Sequence, residues 1–166
     1  MLLYGYQQQI RFNGNHDFNN PAGIRWFNDK VLEKMISFSR VIKEKECLFF
    51  SNSYLELEQK IGVNSFVYMD PPYQLTTGSY NDGKRGFNGW NEALESEMFA
   101  FADRLNQQGI PFMLSYVKEH KGRTNNKLLS WIDDNNYTLI ELGDIIGISG
   151  SRRKEVLVIN YDVPND

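Results

Sequence analysis

Residues Ser65–Tyr73 read "SFVYMDPPY". Phe66, Val67, Tyr68 and Met69 are apolar and read as a core strand. The two prolines must end it, because neither can donate a backbone hydrogen bond to a ladder. An acid stands where the strand stops and a tyrosine just beyond the prolines. In sheets of alternating strands and helices, ligands bind outside the carboxyl ends of the strands. A rigid proline turn with a core tyrosine is the plain reading of these residues; a site that holds something flat is the sharper one.

Working outward, helical and strand patterns alternate on both sides. Upstream, Val31, Leu32, Met35, Ile36, Phe38, Val41 and Ile42 approximate helical spacing from about Asn28 to Lys45. "CLFF" (Cys47–Phe50) reads as a short strand, and Ser53–Ile61 as a helix with Ser53 as its N-cap. Downstream, a glycine-rich loop leads into a helix over Asn91–Gln108 that Gly109 caps. A strand over Ile110–Tyr116 and a helix over Asn125–Asn135 follow. Two strands close the chain, Tyr137–Gly143 and Glu155–Tyr161, joined by "DIIGISGSRRK". No helix separates these two, so they pair as an antiparallel hairpin. The pattern predicts an α/β fold with a mostly parallel sheet. The first stretch differs: "NGNHDFNNPAG" (Asn13–Gly23) is dense in turn formers, and Asn13-Gly14 is a hairpin signal.

Composition narrows the class. At 166 residues, 41% hydrophobic and 14% aromatic, the chain can build one real core and is not a disordered tail. The net charge of -3 means that nucleic-acid binding would rest on local basic patches. Cys47 is the single cysteine, so no internal disulfide forms, which fits a reducing cytoplasm. No apolar run approaches the roughly 20 residues of a membrane helix. His16 and His120 lie in no metal-ligand pattern, so no metal site is expected. The expectation is a soluble cytoplasmic protein.

The corner offers a specific chemistry. Asp70 presents a carboxylate, and the carbonyls of Asp70 and Pro71 are released from the ladder. The prolines hold these acceptors in place, and Tyr73 adds a flat ring. An amino group on a planar base could donate to Asp70 and to the Pro71 carbonyl while Tyr73 stacks on the ring. Enzymes that flip a base out of a duplex use this logic.

These residues resemble the Dam-type adenine-specific DNA methyltransferases, whose members carry an acidic or polar residue followed by Pro-Pro-aromatic. "YGYQQQIRFNGNHDFNNPAG" looks like the family's hairpin in the target-recognition region, and "LFFSNSY" like the strand that flanks the cofactor adenine. "DPPYQLTTGSYN", "GWNE", "GIPFMLSYVKEHKG" and "KEVLVINY" are similar to the rest of the catalytic half, in the same order. The resemblance implies a Rossmann-like fold dependent on S-adenosylmethionine. It implies catalytic roles for Asp70, Pro71, Pro72 and Tyr73, and cofactor contacts from Asp70, Phe49 and Phe50. For DNA it implies Arg11, Phe12 and Asn13 in the hairpin, with Tyr80 and Asn81 in the loop after the corner. Lys121 and Arg123, and Arg152 and Arg153 in the loop before the last strand, would line the phosphates of double-stranded DNA on the same rim. Trp90 would close over a flipped base or anchor the start of a helix.

Three features depart from the family pattern. Its members begin with a glycine-rich strand–loop–helix that cradles the methionine part of the cofactor, and nothing in this sequence matches it. Tyr116 also stands in "LSYV" where an asparagine is common, and Asn52 where an acid is often found. The expectation is therefore the C-terminal part of a methyltransferase. Residues 1–45 would be the remainder of the target-recognition region and 46–166 the C-terminal part of the catalytic domain. Such a part would be inactive alone. It would be completed by a separate N-terminal fragment, or form a homodimer when purified. The competing readings are a non-catalytic DNA-binding remnant, a subunit of a split methyltransferase, and an enzyme acting on a non-DNA amine.

Overall fold

The computed structural model describes residues 28–79, 90–146 and 152–163. The chain divides into two units, Met1–Asn52 and Ser53–Asp166. In the first, helix α1 spans Asp29–Glu44. Asn28 caps it, its side-chain oxygen accepting from the Val31 N–H at 3.1 Å. No strand forms over Cys47–Phe50, contrary to the sequence reading. A strand exists only where a neighbour pairs with it, and among the described residues none pairs with this one.

In the second unit, the helix expected over Ser53–Ile61 is a single turn, α2 (Tyr54–Leu57), followed by a 3-10 turn over Glu58–Lys60. The Ser53 hydroxyl does cap it, accepting from the Leu55 N–H. Strand β1 is Val67–Met69 and ends, as its prolines require, just before Asp70. A 3-10 stretch, Gln74–Ser79, follows the corner. Helix α3 (Glu92–Gln107) starts at Asn91, whose side chain accepts from the N–H groups of Ala93 and Leu94. It stops at Gly109, where φ is +69, a left-handed conformation that favours glycine. Strand β2 is Phe112–His120, the two-residue β3 is Arg123–Thr124, and helix α4 is Asn126–Asn135. Strands β4 (Thr138–Ile146) and β5 (Arg152–Ile159) close the described chain.

The strand order is β1-β2-β5-β4, with β3 paired to β2. Among the described residues only β1 and β2 pair in parallel; β2–β5, β4–β5 and β2–β3 are antiparallel. The sheet is thus mostly antiparallel, which corrects the expectation of a mostly parallel one. The cause is where the final hairpin closes. β1, β2 and β4 all run the same way, but β5 returns between β2 and β4 and turns that neighbouring pair into two antiparallel ones. The hairpin itself is as expected, with Leu139 opposite Val158 and Thr138 opposite Ile159.

The hairpin strands are also longer than their apolar cores suggested. "DIIGISGSRRK" was expected to be loop, yet Asp144–Ile146 extend β4 and Arg152–Lys154 begin β5. Lys154 lies opposite both Asp144 and Glu119 and bonds the Glu119 carboxylate at 2.8 Å. Opposite charges across a ladder favour its extension into what composition marks as a turn.

Alternate residues of β2 and β5 (Phe112, Leu114, Tyr116, Val156, Val158) pack with the apolar sides of α3 and α4 into the core. Phe99 and Trp131 stack with ring centroids 4.3 Å apart and planes within 7°. Asp103 ties the layers, accepting from Trp131 Nε1 at 2.8 Å and from the Tyr137 hydroxyl at 2.9 Å. On the surface, Arg104 holds Glu58 through two bonds at 2.8 and 2.9 Å, which keeps the Glu58 carboxyl below its usual pKa. Among the described residues, no helix is long and apolar enough to cross a membrane.

Candidate active site

Asp70 leaves the carboxyl end of β1 and is exposed. The parallel pairing places Met69 opposite Leu114, so the corner meets β2 at Ser115 and Tyr116. The Tyr73 hydroxyl donates to Asp70 Oδ1 at 2.9 Å and lies 3.2 Å from Ser115 Oγ. Burial is the main cause that pushes the Tyr73 phenol up to about 12, so near neutral pH it stays a proton donor. Its ring stands edge-on to Tyr116, with centroids 5.6 Å apart. The Arg153 guanidinium carbon lies 5.7 Å from the centre of the same ring. Tyr73, expected to offer its ring to a base, is thus half-buried and its hydroxyl is bonded to the Asp70 carboxylate.

Behind the corner lies a buried polar junction. The Tyr116 hydroxyl donates to Glu95 Oε1 at 2.8 Å and accepts from the Gln74 N–H at 3.3 Å and from Trp90 Nε1 at 3.1 Å. Asn125 Nδ2 also donates to Glu95 Oε1, at 2.8 Å, and Lys127 Nζ lies 3.8 Å from the other oxygen. Tyr116 is fully buried and Glu95 is 2% exposed. Trp90, just before α3, therefore acts as an anchor at the start of that helix. Glu95 was not singled out from the sequence. A signal existed: it occupies the apolar stripe of α3 with Met98, Phe99, Ala102 and Leu105, where a carboxylate must find partners.

The basic residues lie further along the same end of the sheet. His120 pairs with both Arg123 and Arg153. The six residues from Leu114 to His120 carry β2 about 20 Å beyond the level of β1's last pair. Lys121 and Gly122 take φ values of +50 and +72, which make a tight hairpin turn. Lys121, Arg123 and Arg152 are exposed and have no ion-pair partner among the described residues. Arg153 instead bonds Glu155 at 2.5 Å, and Lys118 bonds Glu141. Phe49 and Phe50 are exposed residues of the first unit. Arg11, Phe12, Asn13, Tyr80 and Asn81 lie outside the described residues.

Residues 1–146 match the D12 class N6 adenine-specific DNA methyltransferases. The chain belongs to this family.

Among curated relatives of this methyltransferase chain, modification methylase StsI of Streptococcus sanguinis is 39% identical, over 96% of the chain and 26% of that protein. Modification methylase LlaI of Lactococcus lactis subsp. lactis is 38% identical, over 96% of the chain and 25% of that protein. The type II methyltransferase M.FokI of Planomicrobium okeanokoites is 35% identical, over 97% of the chain and 26% of that protein. The chain thus spans about a quarter of the length of these relatives.

Proposed function

We propose that the chain supplies the target-amine half of a DNA adenine-N6 methyltransferase, and that Asp70 is its central residue. The observation that carries this reading is the Asp70 carboxylate at the end of β1, with the Tyr73 hydroxyl 2.9 Å away. The exocyclic nitrogen of adenine is a poor nucleophile because its lone pair is delocalised into the ring. Hydrogen bonds from the amine to Asp70 and to the Pro71 carbonyl raise electron density on nitrogen and fix its direction. Catalysis then rests on positioning and on stabilising the charge that develops there. Asp70 need not take the proton before attack. Pro71 and Pro72 hold the acceptors rigid.

S-adenosylmethionine supplies the methyl group in this chemistry. Asp70, Phe49 and Phe50, each exposed, are the residues proposed to contact it. A carboxylate acceptor and apolar ring faces suit the polar groups and the adenine of that molecule. For double-stranded DNA we propose phosphate contacts from Lys121, Arg123, Arg152 and Arg153. Arg11, Phe12 and Asn13, with Tyr80 and Asn81, would act at the target base. Residues 1–45 would then belong to the target-recognition region and 46–166 to the catalytic domain, with a cytoplasmic location.

The test is transfer of a labelled methyl group to adenine in duplex DNA. The chain alone should show none. The chain mixed with an N-terminal methyltransferase segment that carries a glycine-rich loop should show it. Transfer by the chain alone would refute the need for a complement, and no transfer by any such mixture would refute the catalytic reading. In an active mixture Tyr73→Ala should weaken transfer by roughly 10- to 100-fold, since stacking is worth ~1–3 kcal/mol per base. Full activity without the ring would remove Tyr73 from the base site.

The edge of the sheet supports a partner reading. β1 is an edge strand among the described residues, and on one face of it Phe66 and Tyr68 are 54% and 57% accessible. An open apolar edge invites pairing with another chain. We infer that an N-terminal methyltransferase segment fills it, and that in its absence a second copy does. Sedimentation equilibrium of the purified chain should therefore report a homodimer. A single monomeric species at micromolar concentration would sink that inference.

A further inference from the structure

The residue that departs from the family pattern at position 116 has a role of its own. Tyr116 reaches the corner twice. Its ring edge meets the Tyr73 ring, and its hydroxyl accepts the N–H of Gln74, the first residue after the Asp-Pro-Pro-Tyr run. The hydroxyl would be free to turn between acceptors were it not donating to Glu95. Glu95 is held in turn by Asn125 Nδ2 from the start of α4 and lies near the Lys127 ammonium. Asn125 is itself fixed, because its Oδ1 accepts the Leu128 N–H at 2.9 Å and so caps α4. The phenol oxygen therefore joins β2, α3 and the residue after the corner, and Glu95 Oε1 ties the start of α4 to them. A buried carboxylate is costly unless its partners are complete. Its burial beneath an otherwise apolar helix stripe calls for a reason beyond packing, and the corner is what it reaches.

We propose that Tyr116, oriented by Glu95, is a positioning residue that sets the Tyr73 ring and the Gln74 backbone for the incoming base. It touches neither the base nor the methyl donor. An asparagine side chain at this position is too short to bond both Glu95 and the Gln74 N–H as the phenol does. The proposal rests on the base-site reading above for its consequence, but not for its geometry.

Two variants of the full chain test it. In Tyr116→Phe the ring packing stays and the oxygen goes. Amide hydrogen exchange at Gln74 should quicken on the order of tenfold, the scale of one lost hydrogen bond. The amides of the β2–β5 ladder should keep their protection, which shows that the fold is intact. Glu95→Gln keeps an acceptor oxygen for Tyr116 and Asn125, so Gln74 should stay within about threefold of wild type. In the complemented methyl-transfer assay, Tyr116→Phe should lower kcat per folded site roughly tenfold with the KM for S-adenosylmethionine unchanged. A purely structural Tyr116 would lower the melting temperature and leave kcat per folded molecule alone, and that result overturns the proposal. So does unchanged exchange at Gln74 in Tyr116→Phe. If the wild-type mixture transfers no methyl group, it is the catalytic reading that fails, and the Gln74 exchange still decides the positioning.

Discussion

On the proposed mechanism, Asp70→Ala should abolish methyl transfer to adenine in the complemented chain, to below about one part in 10²–10³ of wild type, the range for loss of a group aimed at developing charge. Three consequences of the substitution act together. The target amine loses its carboxylate acceptor, so the nitrogen lone pair stays in the ring and its direction is no longer set. The proposed cofactor contact goes with it. The Tyr73 hydroxyl, which donates to Asp70 Oδ1 at 2.9 Å, keeps only Ser115 Oγ at 3.2 Å, so the ring is held less firmly. Stability should hardly change, because Asp70 is exposed and outside the core. The check is labelled methyl transfer beside a thermal melt. A folded variant that stays active would remove Asp70 from the mechanism. Asp70→Asn separates the charge from the acceptor: it keeps one acceptor oxygen and should retain more activity than alanine.

Phe112→Ala should cost about 3–5 kcal/mol, a large share of the ~5–15 kcal/mol that typically holds a domain. Phe112 is the first residue of β2 and has no exposed surface. Its ring lies 5.2 Å from Tyr137, edge-on, and 6.4 Å from Trp131, nearly parallel. These rings come from separate elements, so no single neighbour can close the space that alanine leaves. The Phe112 N–H, accepted by Asn160 Oδ1 at 2.7 Å, would stay in place and hold the cavity open. For a chain of this size each kcal/mol is worth about 2–4 °C, so the melt should fall by roughly 10 °C or more. A shift of only a degree or two would mean that this aromatic cluster is not what holds the second unit together.

Much of the fold can be read from local residues because local rules govern it. Asn91 and Gly109 bracket α3, since an N-cap side chain and a left-handed glycine act within one turn. The two prolines stop β1 before Asp70, since a residue without an N–H cannot extend a ladder. The last two strands pair with each other because nothing long enough to cross the sheet lies between them. The acid, the prolines and the tyrosine of the site were legible for the same reason: they are contiguous. The family, too, is carried by short ordered motifs.

Other features depend on residues far apart in sequence, which no local pattern reports. β5 enters between β2 and β4, and that choice alone makes the sheet mostly antiparallel. Cys47–Phe50 has the composition of a strand, but composition supplies no neighbour to pair with. Arg152–Lys154 read as a loop until the facing carboxylates are known, and one of them, Glu119, lies 35 residues away from Lys154. The direction in which Tyr73 turns, onto Asp70 and Ser115, is set by a residue on β2. The burial of Glu95 is set by Tyr116 and Asn125, 21 and 30 residues further along. The sequence by itself determined most of the elements and which residues form the corner, because both are local. Only the tertiary structure decided the strand order and the groups that hold the corner in place, because packing and long-range hydrogen bonds choose among arrangements that local propensity leaves equal.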